Sequence, residues 1–353
     1  MFGPAEFREI VSGQRRGIGA TALRGLLRAS EVPYTLAVTR RNLRYDKGRA
    51  AIHRVSAPVI SVGNLTLGGT GKTPMVKWLA KWWQQRNVRV AIVSRGYGAN
   101  AGHENDEALE LRQSLPDVPH VQNPDRVRAA RRAIDDFQCQ LILLDDGFQH
   151  RRLARDLDIV LLDALEPFGF DHVFPRGTLR EPLAGLQRAQ VVGLSRADVV
   201  SAVERDAVRC RVAQIAPNAA WCELAHVASG LVNAAGQLQP LGMLAGCRVA
   251  AFCGIGNPAG FRHTLAATGC EIAAWRAFPD HHAYVEADLT SLGRMATDSR
   301  AEMLICTQKD LVKVRQTKVT DVPLWAVTLE MQFLAGRDSF EQALEPTVRH
   351  VAM

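Results

Sequence analysis

From Pro58 onward the chain alternates short, nearly unbroken apolar runs with longer stretches in which apolar positions recur every three or four residues. The runs at 59–62, 88–94, 141–144 and 158–162 are too short for buried helices and end in polar or glycine-rich residues, which predicts strands buried on both faces. Helical spacing between them predicts helices over about 72–86 and 125–137. Buried strands separated by helices define an α/β fold with a mostly parallel sheet covered on both sides, and such sheets bind ligands at the carboxyl ends of their strands. A polar, glycine-containing interval at 228–240 reads as a linker. Beyond it the pattern restarts, with strands at 248–252, 271–278 and 303–307 and helices ending near 268 and spanning 286–297. That predicts a second, smaller α/β domain.

The first 55 residues differ in character. Ala22, Leu23, Leu26 and Leu27 fall at helical spacing among Arg15, Arg16, Arg24 and Arg28, and Arg40, Arg41, Arg44, Lys47, Arg49 and Arg54 follow. Two readings fit: a helical extension with a solvated basic face, or a basic amphipathic helix lying on an anionic membrane surface. The short apolar stripe and Gly13, Gly17, Gly19 and Gly25 favour the first on pattern alone. The expected organisation is therefore an arm over 1–55, a main domain over 56–230 and a smaller α/β domain over 240–353.

The 353 residues suit two domains of ordinary size, and 43 Lys+Arg against 36 Asp+Glu leave a net charge of +7, which favours acidic partners. Seven cysteines, an odd number with no C-x-x-C pair, point to buried thiols in a reducing compartment rather than to disulfides or zinc. No stretch approaches the roughly 18 apolar residues of a membrane span, and early arginines interrupt any signal-like segment. A cytoplasmic protein that crosses no membrane is the expectation.

The most informative segment runs Ser61-Val62-Gly63-Asn64-Leu65-Thr66-Leu67-Gly68-Gly69-Thr70-Gly71-Lys72-Thr73-Pro74. A strand enters a glycine-rich turn, and Gly-Lys-Thr opens a helix. Glycines let backbone N–H groups converge on phosphate oxygens, and the helix N-terminus adds positive potential. Thr66, Leu67, Gly68, Gly69, Thr70 and Gly71 would cradle the phosphates, Lys72 would reach the terminal ones, and the Thr73 hydroxyl would hold Mg²⁺. Thr66 stands where the strict G-x-x-x-x-G-K-[ST] pattern has its first glycine. Leu141–Leu144 lead into Asp145 and Asp146, the acids at a strand end that Mg²⁺ beside a triphosphate demands. These features predict a P-loop NTPase-like kinase or hydrolase. A guanine motif Asn-Lys-x-Asp is not met by Thr307-Gln308-Lys309-Asp310, so ATP is the expected nucleotide.

Further segments narrow the class: Ser94-Arg95-Gly96-Tyr97-Gly98, Asp106-Glu107, Asp145-Asp146-Gly147-Phe148-Gln149-His150, Arg176-Gly177-Thr178-Leu179-Arg180-Glu181, Gly254-Ile255-Gly256-Asn257-Pro258, Asp280-His281 and Thr307-Gln308-Lys309-Asp310. With the phosphate loop, this ordered set resembles the tetraacyldisaccharide 4′-kinase family, from about residue 56 to 313. The resemblance implies a peripheral enzyme on the cytoplasmic face of the bacterial inner membrane. It would use ATP and Mg²⁺ to phosphorylate the 4′-hydroxyl of an anionic glycolipid, tetraacyldisaccharide 1-phosphate, forming lipid IVA. It also turns the basic arm toward the membrane reading.

By family position, Asp106 is the expected base for the sugar hydroxyl, paired with His281, and Lys72 neutralises charge on the transferred group. Asp145, Asp146, Glu107 and Glu181 join Thr73 as metal candidates, and Arg95, Tyr97, Gln149, His150 and Arg180 are expected to line the site. Two alternatives stand beside this: a P-loop kinase for a soluble sugar, and a non-enzymatic nucleotide-dependent switch or nucleic-acid binder. The last lacks the aromatic–basic interleaving that stacks bases, so no nucleic acid is expected, and no protein partner is required.

Overall fold

The computed structural model describes residues 4–96, 106–280 and 282–351. In chain order the elements are α1 (Pro4–Ser12), α2 (Ile18–Asp46), β1 (Val59–Asn64), α3 (Lys72–Gln84), β2 (Val90–Ser94), α4 (Asp106–Ser114), β3 (His120–Gln122), α5 (Arg126–Phe137), β4 (Leu141–Asp145), β5 (Leu157–Asp163), β6 (Val191–Ser195) and α6 (Ala202–Ile215). They continue with β7 (Ala220–Val232), β8 (Leu238–Pro240), β9 (Arg248–Cys253), α7 (Pro258–Ala266), β10 (Glu271–Ala277), α8 (Glu286–Asp298), β11 (Met303–Thr307), α9 (Gln308–Val314), β12 (Lys318–Val319), β13 (Val322–Ala335) and α10 (Arg337–Val351).

The chain packs as two compact units. One takes the residues through 95, 118–225 and 333 onward; the other takes 96–117 and 226–332. In the first, parallel strands run in the order β7-β6-β5-β1-β4-β2-β3. β1, β4 and β5 are buried along their whole length, which is why they read as apolar runs without alternation. Ala129, Ala130 and Ala133 of α5 pack on one face of the sheet with Val93 and Leu144, and Val212 of α6 packs on the other with Val160 and Leu194. β1 lies between β4 and β5, where successive crossovers leave in opposite directions, the position at which an open α/β sheet forms a crevice.

α3 buries Met75, Val76, Leu79, Trp82 and Trp83. Trp78 stands edge-on to Phe333 and Phe340 at 5.1 and 5.4 Å, which brings α10 onto this unit. In the second unit β10, β9, β11 and β13 are parallel neighbours, with β8 antiparallel to β7 and β12 antiparallel to β13. α8 covers one face through Leu292 and Ala296, and α7 the other through Phe261 and Leu265.

Three expectations change. The interval 228–240 is not a linker: it is the second half of β7 and a hairpin into β8, with Asn233 Oδ1 accepting from Ala235 N and Gln237 N, both at 3.0 Å. Polar letters there mark a turn and a half-exposed strand. The division at 56–230 and 240–353 is replaced by units that exchange segments, because 96–117 goes with the second and the C-terminal helix with the first. Periodicity identifies elements but not which sheet receives them. Finally, α2 runs for 29 residues through Gly19, Gly25 and Pro33, and the glycines that break the arm are Gly13 and Gly17 between α1 and α2.

Gly63 in β1 has no room for a side chain: a Cβ would lie 2.5 Å from Phe148 Cβ and 2.9 Å from the Phe148 backbone nitrogen. Backbone cannot swing aside as a side-chain tip can. Gly63→Ala is therefore expected to lower unfolding stability by about 1–3 kcal/mol, read as a lower urea midpoint at unchanged slope. An unchanged midpoint would show that the strand can move.

Candidate active site

β1 delivers the chain into the glycine-rich loop, and Asn64 folds it back: its Nδ2 donates to the carbonyls of Thr66 at 2.8 Å and Gly68 at 3.4 Å. Gly68 and Gly71 take φ of 114° and 81°, a region that penalises any Cβ. Gly71 is the N-cap of α3 and Lys72 its first residue. The unpaired amides of that first turn supply positive potential, and Pro74 costs nothing where no N–H partner is available.

Two other segments hold the loop. Leu67 N donates to Thr178 O and Arg180 N to Leu65 O, each at 2.7 Å, so the segment after Val173 runs as a strap along it. Arg196, anchored on Asp163 at the end of β5 with Nε to Oδ1 at 2.9 Å, donates to Gly69 O at 3.2 Å. Inside the loop the Thr70 hydroxyl is buried without a hydrogen-bond partner among the described residues. A buried hydroxyl left unpaired is costly, and an incoming phosphate oxygen would satisfy it.

β4 ends beside β1, with Asp145 opposite Val62. Asp145 is buried; Asp146, at φ 52°, is half-buried. Arg180 Nη1 reaches both Asp146 carboxylate oxygens at 2.9 Å, and Lys72 Nζ lies 3.5 Å from Oδ1. Burial raises the Asp146 pKa, but the two cations outweigh it and hold the carboxyl below its usual range. The loop lysine and the strap arginine are thus gathered on one acid, where a triphosphate would compete for both.

Gln149 Nε2 donates to Asn64 O at 2.8 Å and to Glu181 Oε1 at 3.1 Å. His150 is pushed down to about 4 by burial and by Arg126 and Arg155, so its imidazole is neutral at neutral pH. Arg95 is exposed at the end of β2. Glu181, expected as a metal candidate, is fully buried with both oxygens engaged: Arg188 reaches them at 2.9 and 3.0 Å, Asn42 donates to Oε2 at 2.6 Å and Gln149 to Oε1. Its carboxylate is a hub that joins these three side chains.

Asp106 opens α4 and Glu107 follows it, in the second unit; their side chains lie outside the described residues, as do Tyr97 and His281. Two motif segments are structural. Asp310 accepts from Gly254 N at 2.9 Å, Tyr284 Oη at 2.8 Å and Thr307 Oγ1 at 2.6 Å, and Asn257 caps α7. The sequence reading missed Arg126 and Arg196. Arg126 is buried at the start of α5, its pKa lowered by burial and by Arg95 and opposed by Asp146 and Asp145. Its signal was the Pro124-Asp125 helix start; for Arg196 it was the strand end at Ser195.

No cluster of three or more His, Cys, Asp or Glu occurs among the described residues. An Mg²⁺ ion carried by a nucleotide does not need one, because phosphate and water oxygens complete its shell. The Thr73 hydroxyl on the first turn of α3 and the buried Asp145 at the end of β4 are hard oxygen donors that fit such an ion.

A glycine-rich loop between a central parallel strand and a helix, with a lysine on its first turn and acids ending the neighbouring strand, defines a P-loop nucleotide-dependent enzyme. The family model for tetraacyldisaccharide-1-P 4′-kinase matches residues 23–349. A tetraacyldisaccharide 4′-kinase of Anaeromyxobacter dehalogenans is 40% identical over 346 residues, covering 93% of this chain and 91% of the relative. One from Geobacter sulfurreducens is 36% identical, covering 92% and 94%. LpxK from Aquifex aeolicus, solved in complex with ATP, superposes with a TM-score of 0.74 at 27% identity, covering 92% of this chain and 99% of that one. The chain belongs to the tetraacyldisaccharide 4′-kinase family.

Proposed function

We propose that this kinase transfers the γ-phosphoryl group of ATP to the 4′-hydroxyl of tetraacyldisaccharide 1-phosphate, giving lipid IVA in lipid A biosynthesis. The observation that carries the reading is the Lys72–Asp146–Arg180 cluster at the mouth of the phosphate loop, in a chain matched by the family from 23 to 349. On nucleotide binding, Lys72 leaves Asp146 for the phosphates, and the loop amides and Thr70 hydroxyl complete the cradle. Mg²⁺, when bound, would supply charge neutralisation at the phosphates, and Thr73 and Asp145 would hold it.

The 4′-oxygen forms the new bond to phosphorus as the bond to the β–γ bridging oxygen breaks, and ADP leaves with that oxygen. By family position Asp106 is assigned as the acceptor of the hydroxyl proton, with His281 as its partner. A sugar hydroxyl is too weakly acidic to react without such an acceptor. By family position Arg95, Tyr97, Gln149, His150 and Arg180 are assigned to the site, and Arg126, whose charge acts on Asp145 and Asp146, joins them.

Peripheral attachment to the cytoplasmic face of the inner membrane rests on α2. Ile18, Leu26, Val32, Leu36 and Leu43 are exposed on it, among arginines. None of the helices among the described residues is long and apolar enough to cross a membrane. Such an arm lies in an interface and favours anionic lipid.

Incubation of purified protein with labelled ATP, Mg²⁺ and tetraacyldisaccharide 1-phosphate in mixed micelles tests the reading. Label is expected in a lipid product carrying a second phosphate. Label appearing only in inorganic phosphate, or equally in water-soluble sugars, overturns it.

A further inference from the structure

One face of α2 rests on the strap that holds the phosphate loop. Glu31 is buried and accepts from Val173 N at 2.8 Å; Tyr34 Oη donates to Arg180 O at 3.5 Å; Val38 is buried; Asn42 Nδ2 donates to Glu181 Oε2 at 2.6 Å. These four positions, spaced three or four residues apart, form one stripe at about 100° per residue. At the same pitch the exposed Ile18, Val32, Leu36 and Leu43 fall nearly opposite, so the surface that would meet lipid leaves the seat intact.

From Asn42 the bonds lead inward without a gap. Glu181 receives Asn42 and Gln149; Gln149 donates to Asn64 O, and Asn64 folds the phosphate loop. Arg180, the residue before Glu181, bonds Gln149 Oε1 at 3.5 Å and grips Asp146 beside Lys72. Room for the hub is reserved at Gly185, where a Cβ would lie 2.9 Å from Glu181 Oε2. Arg151 fixes the same part of the arm by donating to Asn42 O at 3.0 Å and to Asp46 Oδ1 at 2.6 Å.

We propose that Asn42 is a positioning residue: through the buried Glu181 carboxylate it sets Gln149 and Arg180, so that the seating of the arm helix tunes the phosphate loop. The inference rests on the reading of Lys72 and Arg180 as nucleotide-binding groups. Among the described residues Glu181 has one cationic partner, Arg188, and two neutral amide donors. Removing one of those donors leaves a buried charge short of a partner, and the hub relaxes toward whatever donor remains.

The test measures kcat and KM for ATP and for lipid in mixed micelles, together with thermal unfolding and co-sedimentation with vesicles containing phosphatidylglycerol. Asn42→Ala is expected to lower kcat about tenfold, with KM for lipid and vesicle binding within twofold of wild type. Asn42→Gln, which keeps the amide, recovers at least half of the lost rate. In a Glu181→Gln background Asn42→Ala costs nothing further, because the group it acts through is already altered. Full activity in Asn42→Ala, equal loss in the Gln variant, or additive losses with Glu181→Gln would overturn the proposal. So would a rate loss that follows the unfolding temperature or vanishes when vesicle binding is restored. Lys72→Ala run in the same assay separates the two levels: if it retains transfer, the nucleotide reading fails whatever Asn42 does.

Discussion

Lys72→Ala is expected to lower phosphoryl transfer by about 10²–10³-fold while the protein stays folded, the range seen when one preorganised charge-stabilising donor is removed from an active site. Lys72 is the first residue of α3, largely buried, with its ammonium 3.5 Å from Asp146. Asp146 does not depend on it, because Arg180 binds both carboxylate oxygens. Loss of the lysine therefore strands no buried charge, and the apolar face of α3 is untouched. On the proposed mechanism, what disappears is the cation that would neutralise the phosphates as charge shifts toward the leaving group. Steady-state rates with labelled ATP, beside a thermal-unfolding curve, check this. A folded variant with near-normal turnover would remove the phosphate loop from the mechanism.

Asp106→Asn is expected to cost about 10²–10⁴-fold in kcat, the contribution of a positioned general base, with ATP affinity little changed. The wild-type rate should fall toward acid pH as the carboxylate takes up a proton, and in the variant that limb should be gone. Asp106 opens α4. His281→Ala should produce a smaller loss and shift the same limb, the result expected of a partner of that carboxylate. The pH profile of kcat/KM for wild type and both variants decides between a base and a residue that only shapes the pocket. An unchanged acid limb in Asp106→Asn would end its assignment.

The phosphate loop was legible because its chemistry is local. Strand, glycines, lysine and helix start are consecutive, and each letter between Ser61 and Pro74 constrains its neighbours; β4 with Asp145 and Asp146 was equally plain, being an apolar run with an acidic end. The surroundings of Glu181 were hidden for the opposite reason. An acid after Arg180 carries the same letter whether it faces an ion or three side-chain donors, and those donors come from residues 42, 149 and 188. The length of α2 was also hidden: Gly19, Gly25 and Pro33 lower local helix propensity, and burial of Glu31 and Val38, with the bonds of Glu31 and Asn42 to the strap, overrides them.

The sequence by itself determined the class of fold, the glycine-rich loop and the order of the family's motifs, because short-range periodicity and contiguous backbone chemistry are written within a dozen residues. Tertiary structure alone decided that 96–117 joins the second unit and the C-terminal helix the first, that the interval before β8 is strand, and that Glu181 ties the arm to the strap. Those outcomes depend on which surfaces meet across long separations. No local pattern specifies the partner of a buried carboxylate; only the packed chain does.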